Sequence, residues 1–304
     1  MLLYTHPACL AHDPGEGHPE SPARLRAVLD ALEEARFENL ARREAPRATH
    51  EQLARVHAES LIDAVFAAAP SAGHAQLDAD TAMSPDSLEA ALRAAGAVCA
   101  AVDALIDGAD TRAFCAVRPP GHHATRDTSM GFCLFNNVAV GAAQALARGL
   151  ERVAIVDFDV HHGNGTQDIF WNEPRVLYTS THQSPLYPGS GARAETGAGN
   201  IVNAPLPPGA GSAEFRAVFS QTVLPRLRDY RPQLFMISAG FDAHRLDPLA
   251  SLNLDASDYD WVTRELVDIS REYAKGRIVS ALEGGYSLTA LRECTAAHVA
   301  ALMA

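Results

Sequence analysis

The sequence predicts a three-layer α/β/α domain with a central, mostly parallel sheet. Three observations lead there. Short, almost continuously apolar runs recur at residues 2–4, 114–117, 153–157, 176–180, 234–238 and 278–282, the pattern of strands covered on both faces. Stretches with apolar residues at helical spacing fall between them. Four of the runs end in ionisable residues, which puts a ligand site at the carboxyl ends of the strands. No repeat, low-complexity tract or long linker interrupts the 304 residues, so residues 1–304 are expected to form one domain.

The elements follow in order. After the first strand, Ser21-Pro22 offers an N-cap and a first-turn proline, with Leu25, Val28, Leu29 and Leu32 at helical spacing. Thr49 and Gln52 form a capping box ahead of a helix running through Ala68. Ser84-Pro85 opens a long alanine-rich helix carrying Leu88, Leu92, Ala95, Val98 and Val102, which stops near Gly108. Three strands come next. Phe215, Val218, Phe219 and Leu227 mark a further helix, kinked at Pro225. Beyond the strand at 234–238, Ser257 starts a helix that ends at Gly276, and the strand at 278–282 closes the set.

Lys and Arg total 25 against 37 Asp and Glu, a net charge of −12. Nothing here builds a phosphate-neutralising surface, so nucleic acid is not the expected partner, and a cationic substrate would be attracted instead. Residues 1–7 lack the basic flank and apolar core of a signal peptide. The longest apolar run, residues 94–102, is too short to span a bilayer, so no membrane association is expected. Cys9, Cys99, Cys115, Cys133 and Cys294 are odd in number, scattered and never C-x-x-C. They read as reduced thiols of a cytoplasmic protein. Oligomeric state has no signature in the sequence.

The chemistry sits where strands end. The run 114–117 leads into Arg118-Pro119-Pro120-Gly121-His122-His123, and 153–157 leads through Asp157 and Asp159 to His161-His162-Gly163-Asn164-Gly165. The third exit is Gly240-Phe241-Asp242, and the fourth is Glu283-Gly284-Gly285-Tyr286. Alternate residues share one face of a strand but span about 13 Å from first to third. One small cation, with ligands at roughly 2.0–2.2 Å, therefore cannot collect Asp157, Asp159 and His161 together from straight backbone. Asp159 and His161 are the better pair, Asp242 the third ligand, and an open fourth position points to catalysis. Two carboxylates and one imidazole nearly neutralise a divalent ion, so its water needs a base. His122 and His123 supply one, with Asp157 and Asn164 available to hold their ring N–H groups, and Tyr286 can donate to a developing oxyanion. The lone His6, His50, His57, His74 and His298 read as satisfied surface or core residues.

These motifs, with His18-Pro19-Glu20-Ser21-Pro22-Ala23-Arg24, Gly131-Phe132-Cys133-Leu134-Phe135-Asn136-Asn137 and Tyr187-Pro188-Gly189-Ser190-Gly191, resemble the zinc-dependent histone deacetylase family, class II and its bacterial relatives, which shares its fold with arginases. The resemblance spans nearly the whole chain and implies one deacetylase-like catalytic domain over 1–304. It implies zinc on Asp159, His161 and Asp242, with iron(II) able to replace it in the cell. His123 is the implied general base and acid, His122 an electrostatic partner oriented by Asp157, and Tyr286 the group that polarises the acyl carbonyl. Phe132 and Tyr187 would wall an acyl-lysine tunnel beside Gly131, with Leu249 at its rim and Arg24 in an internal channel behind the metal. Structural potassium is implied beside Asp157, Asp159, His161 and Ser180, and a second monovalent ion at Phe170, Glu173 and Val176. Asn164 stands where class I enzymes carry aspartate, and Tyr187 where phenylalanine is common.

The leading expectation is a zinc amidohydrolase that removes acetyl or related acyl groups from the ε-amine of lysine in a peptide or protein. The nearest rival keeps the chemistry and takes acetylpolyamines or another small acylated amine. A ureohydrolase would need carboxylates for two manganese ions, which the histidine doublets do not supply. A non-catalytic acyl-lysine reader would be expected to lose His123 or Tyr286.

Overall fold

The computed structural model describes residues 1–304. Ten strands are present: β1 Leu2–Thr5, β2 Ala41–Glu44, β3 Ala75–Gln76, β4 Ala82–Met83, β5 Arg112–Cys115, β6 Val153–Asp157, β7 Val176–Gln183, β8 Ile201–Leu206, β9 Leu234–Ala239 and β10 Ile278–Leu282. Eight form one sheet in the order β2-β1-β5-β10-β9-β6-β7-β8, and every pairing in it is parallel. β3 and β4 make a separate antiparallel ribbon. The four strands that carry the chemical motifs, β5, β10, β9 and β6, are thus neighbours at the sheet's centre. Their register aligns the exits: Asp157 lies opposite Ser238, and Leu282 opposite Ala239.

All six expected strands form, the one expected at 114–117 lying two residues earlier, at Arg112–Cys115. The two edge strands were not legible, because neither is an apolar run. β2 reads Ala-Arg-Arg-Glu with three exposed side chains, and β8 carries Asn203 and Pro205. Both features suit a strand paired on one side only.

The helices differ from expectation in instructive ways. Helix Pro22–Ala31 begins at the expected proline, but the Ser21 side chain makes no capping bond. The Thr49 capping box forms, yet its helix, His50–Ala54, ends early and a second, Glu59–Ala68, follows. Tertiary bonds break the segment: Ala58 N–H donates to Arg126 O at 2.7 Å, and the His57 ring bridges Thr125 O and Asn136 N, both at 2.9 Å. The long helix starts at Ser87, not at Ser84-Pro85, and runs to Ile106. Ahead of Pro225 the kink takes the form of a π turn, Phe219–Val223, between helices Ser212–Val218 and Leu224–Tyr230. Helix Ala256–Tyr273 is capped by Asp255, two residues before Ser257, with Asp258 closing the box. Helices Asn137–Ala147, Asn164–Phe170 and Leu288–Met303 were missed. The first is buried nearly all round and so shows no amphipathic stripe.

A continuous apolar core runs from Leu2 to Leu302. All five cysteines are unpaired and buried, and no helix is long and apolar enough to cross a membrane. His298 is a strut within this core: its Nδ1 meets the Thr263 hydroxyl at 2.7 Å and its Nε2 the Ser280 hydroxyl at 2.8 Å, tying two helices to β10. Burial pushes the imidazole down to about 3 from its ordinary 6.5. Above pH 6.5 it is neutral in both folded and unfolded chains. Below that the unfolded chain takes up a proton that the folded protein refuses, so stability falls by about 1.4 kcal/mol per pH unit down to pH about 3. In denaturant unfolding, the loss of stability between pH 7.5 and pH 5.5 should be about 1.4 kcal/mol smaller in His298→Gln than in the native protein. An identical loss would mean that the folded protein already protonates His298.

Candidate active site

β6 ends at Asp157, and the chain turns through a ladder of carboxylate-to-backbone bonds. Asp157 Oδ1 accepts from Asp159 N at 3.1 Å, and Asp159 Oδ1 from His161 N at 2.9 Å. Asp242, two residues beyond the Gly240 that follows β9, accepts from Val160 N at 2.8 Å. From beyond β10, Gly284 N donates to Asp159 Oδ2 at 2.8 Å. A Cβ on Gly284 would strike both the Asp242 and the Asp159 carboxylates, so only glycine lets the backbone come this close. The turn brings ligand atoms of Asp159, His161 and Asp242 within 4.8 Å of one another, all three residues buried.

This cluster is short of positive charge. His161 Nδ1 lies 3.2 Å from both an Asp159 and an Asp242 oxygen. Burial and the nearby Asp159 carboxylate push Asp242 up to about 7. Burial would also raise Asp159, but His122 and His161 outweigh it and hold that carboxyl well below its usual range. Two buried acids around one imidazole, with donor atoms close to the separation of about 3.3 Å expected for a tetrahedral ion of 2.0 Å bonds, fit a divalent cation.

The histidine doublet beyond β5 stands beside this cluster. His122 Nδ1 faces Asp157 Oδ2 at 3.0 Å, and the Tyr178 hydroxyl donates to the same oxygen at 3.0 Å. His123 Nδ1 faces Asn164 Oδ1 at 2.8 Å. Glu283 holds the doublet's backbone, accepting from Gly121 N at 2.6 Å and His122 N at 3.2 Å. The two rings are electrostatically unlike. Burial would lower His122, but Asp159 and Asp157 outweigh it and hold the ring well above its ordinary value. Burial drives His123 well below, and the neighbouring His122 and His161 push the same way. One ring therefore favours the protonated form, while the other is free to accept a proton.

Tyr286 sits on the turn after β10. Asp247 anchors it, accepting from Tyr286 N at 2.7 Å and Ser287 N at 3.3 Å, while its other oxygen takes Leu249 N at 3.0 Å. Behind the ring, the Arg24 guanidinium lies 4.8 Å from its centroid. Arg24 is fully buried, donating to Gly285 O at 2.6 Å and Glu283 O at 2.5 Å and pairing with Glu20 at 2.7 Å.

Above these groups opens a cavity of about 210 Å³, lined by Asp80, His123, Gly131, Phe132, His161, Leu186, Tyr187, Leu249 and Tyr286. Phe132 adopts φ 68°, a conformation costly for a residue with a side chain. The loop before β4 holds it there: Asp80 Oδ1 accepts from Gly131 N at 3.1 Å, and Thr81 Oγ1 from Phe132 N at 3.0 Å. Gly131, at φ 58°, passes so near the His123 ring that a Cβ would collide with it.

The sequence matches the family model described as histone deacetylase domain over residues 18–302. The chain belongs to the histone deacetylase family. It is 39% identical over 306 residues to a "probable deacetylase" of Archaeoglobus fulgidus, covering 98% of this chain and 85% of that one. It is 41% identical over 280 residues to the "histone deacetylase-like amidohydrolase" of Pseudomonas aeruginosa, covering 89% and 73%. The crystal structure of the HDA15 HD domain matches with a TM-score of 0.94 at 36% identity, covering 99% of this chain and 88% of that one. The architecture is that of the histone deacetylases, and membership makes the chain a deacetylase-type amidohydrolase.

Within the family's frame, the residues expected at the site fall into four groups. His123, His161, Tyr286, Gly131, Phe132, Tyr187 and Leu249 line the cavity, Asp159 and Asp242 cluster with His161, and Asp157 and Asn164 engage the His122 and His123 rings. Arg24 does not line that cavity but braces Tyr286 from behind. Ser180 lies beside Asp157 in register, its hydroxyl engaged with His182 Nδ1 at 2.9 Å. Phe170 and Val176 lie at the opposite end of β7, and there the expected second ion does not fit: the carbonyls of Phe170, Glu173 and Val176 already accept from the Asn200 side chain. Sequence reasoning assigned no role to Glu283, Asp247 or Thr81. Glu283 had a visible signal as the first ionisable residue after an apolar strand, whereas Asp247 and Thr81 act on backbone donors that no motif reveals.

Asp247→Ala would leave the Tyr286 and Leu249 N–H groups without their carboxylate. Because small misplacements of a reacting group cost up to about 10²-fold, kcat should fall by about 10- to 100-fold while near-ultraviolet circular dichroism still reports a folded protein. An unaltered kcat would mean that the Tyr286 turn holds its position without Asp247.

Proposed function

We propose that residues 1–304 form a zinc-dependent deacetylase domain that hydrolyses acyl amides of the lysine ε-amine. The observation that carries this reading is the buried Asp159, His161 and Asp242 cluster at the floor of a cavity that also holds His123 and Tyr286. Zinc held by those three side chains would supply Lewis acidity toward the acyl carbonyl and make water more acidic.

The protein's own groups do the rest. His123, kept neutral by its surroundings, takes the proton from the attacking water at Nε2 and returns it to the leaving amine. Asn164 fixes the ring by its contact with Nδ1. His122, bonded to Asp157, provides positive charge beside the developing negative charge. The Tyr286 hydroxyl donates to the oxyanion, and Arg24 behind the ring keeps it turned toward the cavity.

Substrate choice follows from the cavity wall. Phe132, Leu186, Tyr187 and Leu249 offer apolar surface to an aliphatic stem, which contributes on the order of 0.8 kcal/mol per buried methylene. A polyamine would bring an extra ammonium to this wall, where burial is penalised unless a carboxylate meets it. Asp80 is the acid on the wall, but its Oδ1 already accepts from Gly131 N and the Thr81 hydroxyl. Acyl-lysine is therefore the favoured substrate.

Three measurements test the reading. Asp159→Ala or Asp242→Ala should lose both bound zinc and activity, and a strong chelator should inactivate the native enzyme until zinc is returned. Full activity in metal-free protein would end the proposal. Tyr286→Phe should keep zinc and fold while kcat drops by about 10²–10³, and His123→Ala should be at least as damaging. Finally, kcat/KM should be higher for acetyl-lysine peptides than for acetylspermidine or acetylputrescine at equal ionic strength. The reverse order would replace the substrate and leave the mechanism standing.

A further inference from the structure

At the amino end of β7, away from the catalytic cavity, three main-chain carbonyls converge on one atom. Asn200 Nδ2 stands 2.8 Å from Phe170 O, 3.1 Å from Glu173 O and 2.9 Å from Val176 O. The amide's orientation is set independently, because Asn200 Oδ1 accepts from Ala198 N at 3.0 Å. The nitrogen therefore faces the carbonyls and the oxygen faces away. Asn200 is 4% exposed, and its own carbonyl accepts from Tyr178 N at 2.9 Å, so the residue is pinned to β7 by main chain and side chain alike.

Converging carbonyl oxygens, each with its negative end aimed at one point, form the kind of cage that replaces the hydration shell of a monovalent cation. Left empty and buried, such a cage would be a cluster of mutually repelling acceptors. Here the amide's two N–H groups, shared among three oxygens, provide the positive charge. We propose that the Asn200 side chain takes the place of a monovalent cation, closing the junction between helix Asn164–Phe170 and β7 without potassium or sodium. Nitrogen and ion cannot occupy the same point, and an ion entering would turn the buried NH₂ away from all three of its acceptors.

The junction matters to the site because the same helix begins at Asn164, the residue that meets His123 Nδ1. An internal amide makes the anchoring of that helix independent of ambient monovalent salt.

Thallium(I), a potassium mimic located by its anomalous scattering, tests this in crystals of the holoenzyme. The native protein should show no anomalous peak between the carbonyls of Phe170, Glu173 and Val176, whereas Asn200→Ala should show one. In solution, exchanging tetramethylammonium for potassium at equal ionic strength should raise the Tm of Asn200→Ala by several degrees more than that of the native protein. The near-isosteric Asn200→Asp, which sets a carboxylate against the carbonyls, should depend on potassium more strongly still, and it serves if the alanine variant does not fold. A thallium peak at these carbonyls in the native protein would overturn the proposal. So would variants whose potassium response equals that of the native chain.

Discussion

Negative charge buried at the carboxyl end of a parallel sheet is the constraint on which the rest of this structure depends. Glu20, Asp157, Asp159, Asp242, Asp247 and Glu283 are all buried, and a buried carboxylate without partners is too costly to persist. Each is met by fixed donors. Backbone N–H groups of Val160, His161, Gly284, Gly121, His122 and Tyr286 point at four of them. Glu20 lies between Arg24 and Arg118 and close to His12. The loops beyond β5, β6, β9 and β10 are consequently tied to each other through acids as well as through the apolar core, and this fixes the side chains of the site on four separate segments.

That arrangement explains why two adjacent histidines behave differently. Their rings lie 4.0 Å apart between centroids, tilted by 45°, so protonating one disfavours protonating the other. Asp157 is bonded to His122, and Asp159 lies near it, whereas His123 is offered only the neutral amide oxygen of Asn164. An aspartate at position 164 would bring a carboxylate to each ring and blunt the distinction. With asparagine, the positive charge has one home and the vacant base another.

How much of this was legible in the sequence depended on whether the signal was local. Six interior strands announced themselves as apolar runs, and the polar exits of four of them named the Asp159, His161 and Asp242 cluster, both histidines and Tyr286. Edge strands β2 and β8, half paired, carry charge, amide and proline instead of apolar continuity. The helix Asn137–Ala147 vanished from view because burial on all sides erases periodicity. Thr49 through Ala68 reads as one helix because the bonds that break it come from Thr125, Arg126 and Asn136, far along the chain. Glu283 and Asp247 eluded assignment for a related reason: what they hold is backbone, and any residue type can present a backbone N–H.

The two ends of β7 solve the same electrostatic problem in opposite ways. Toward its carboxyl end, Ser180 lies beside Asp157, which takes the Tyr178 hydroxyl from nearer the strand's start and the N–H of Asp159, one of the two buried acids around His161. At its amino end, Val176 O and its partner carbonyls are satisfied by a neutral amide from Asn200. An amide is covalently retained and cannot exchange with solvent, but it supplies only a dipole. That suffices for carbonyl oxygens, which carry partial charge, and not for the paired carboxylates of Asp159 and Asp242, whose full charges an amide cannot balance. The difference along one strand follows from the size of the charge at each end: full charges on the buried acids at one, partial charges on the carbonyls of Phe170, Glu173 and Val176 at the other.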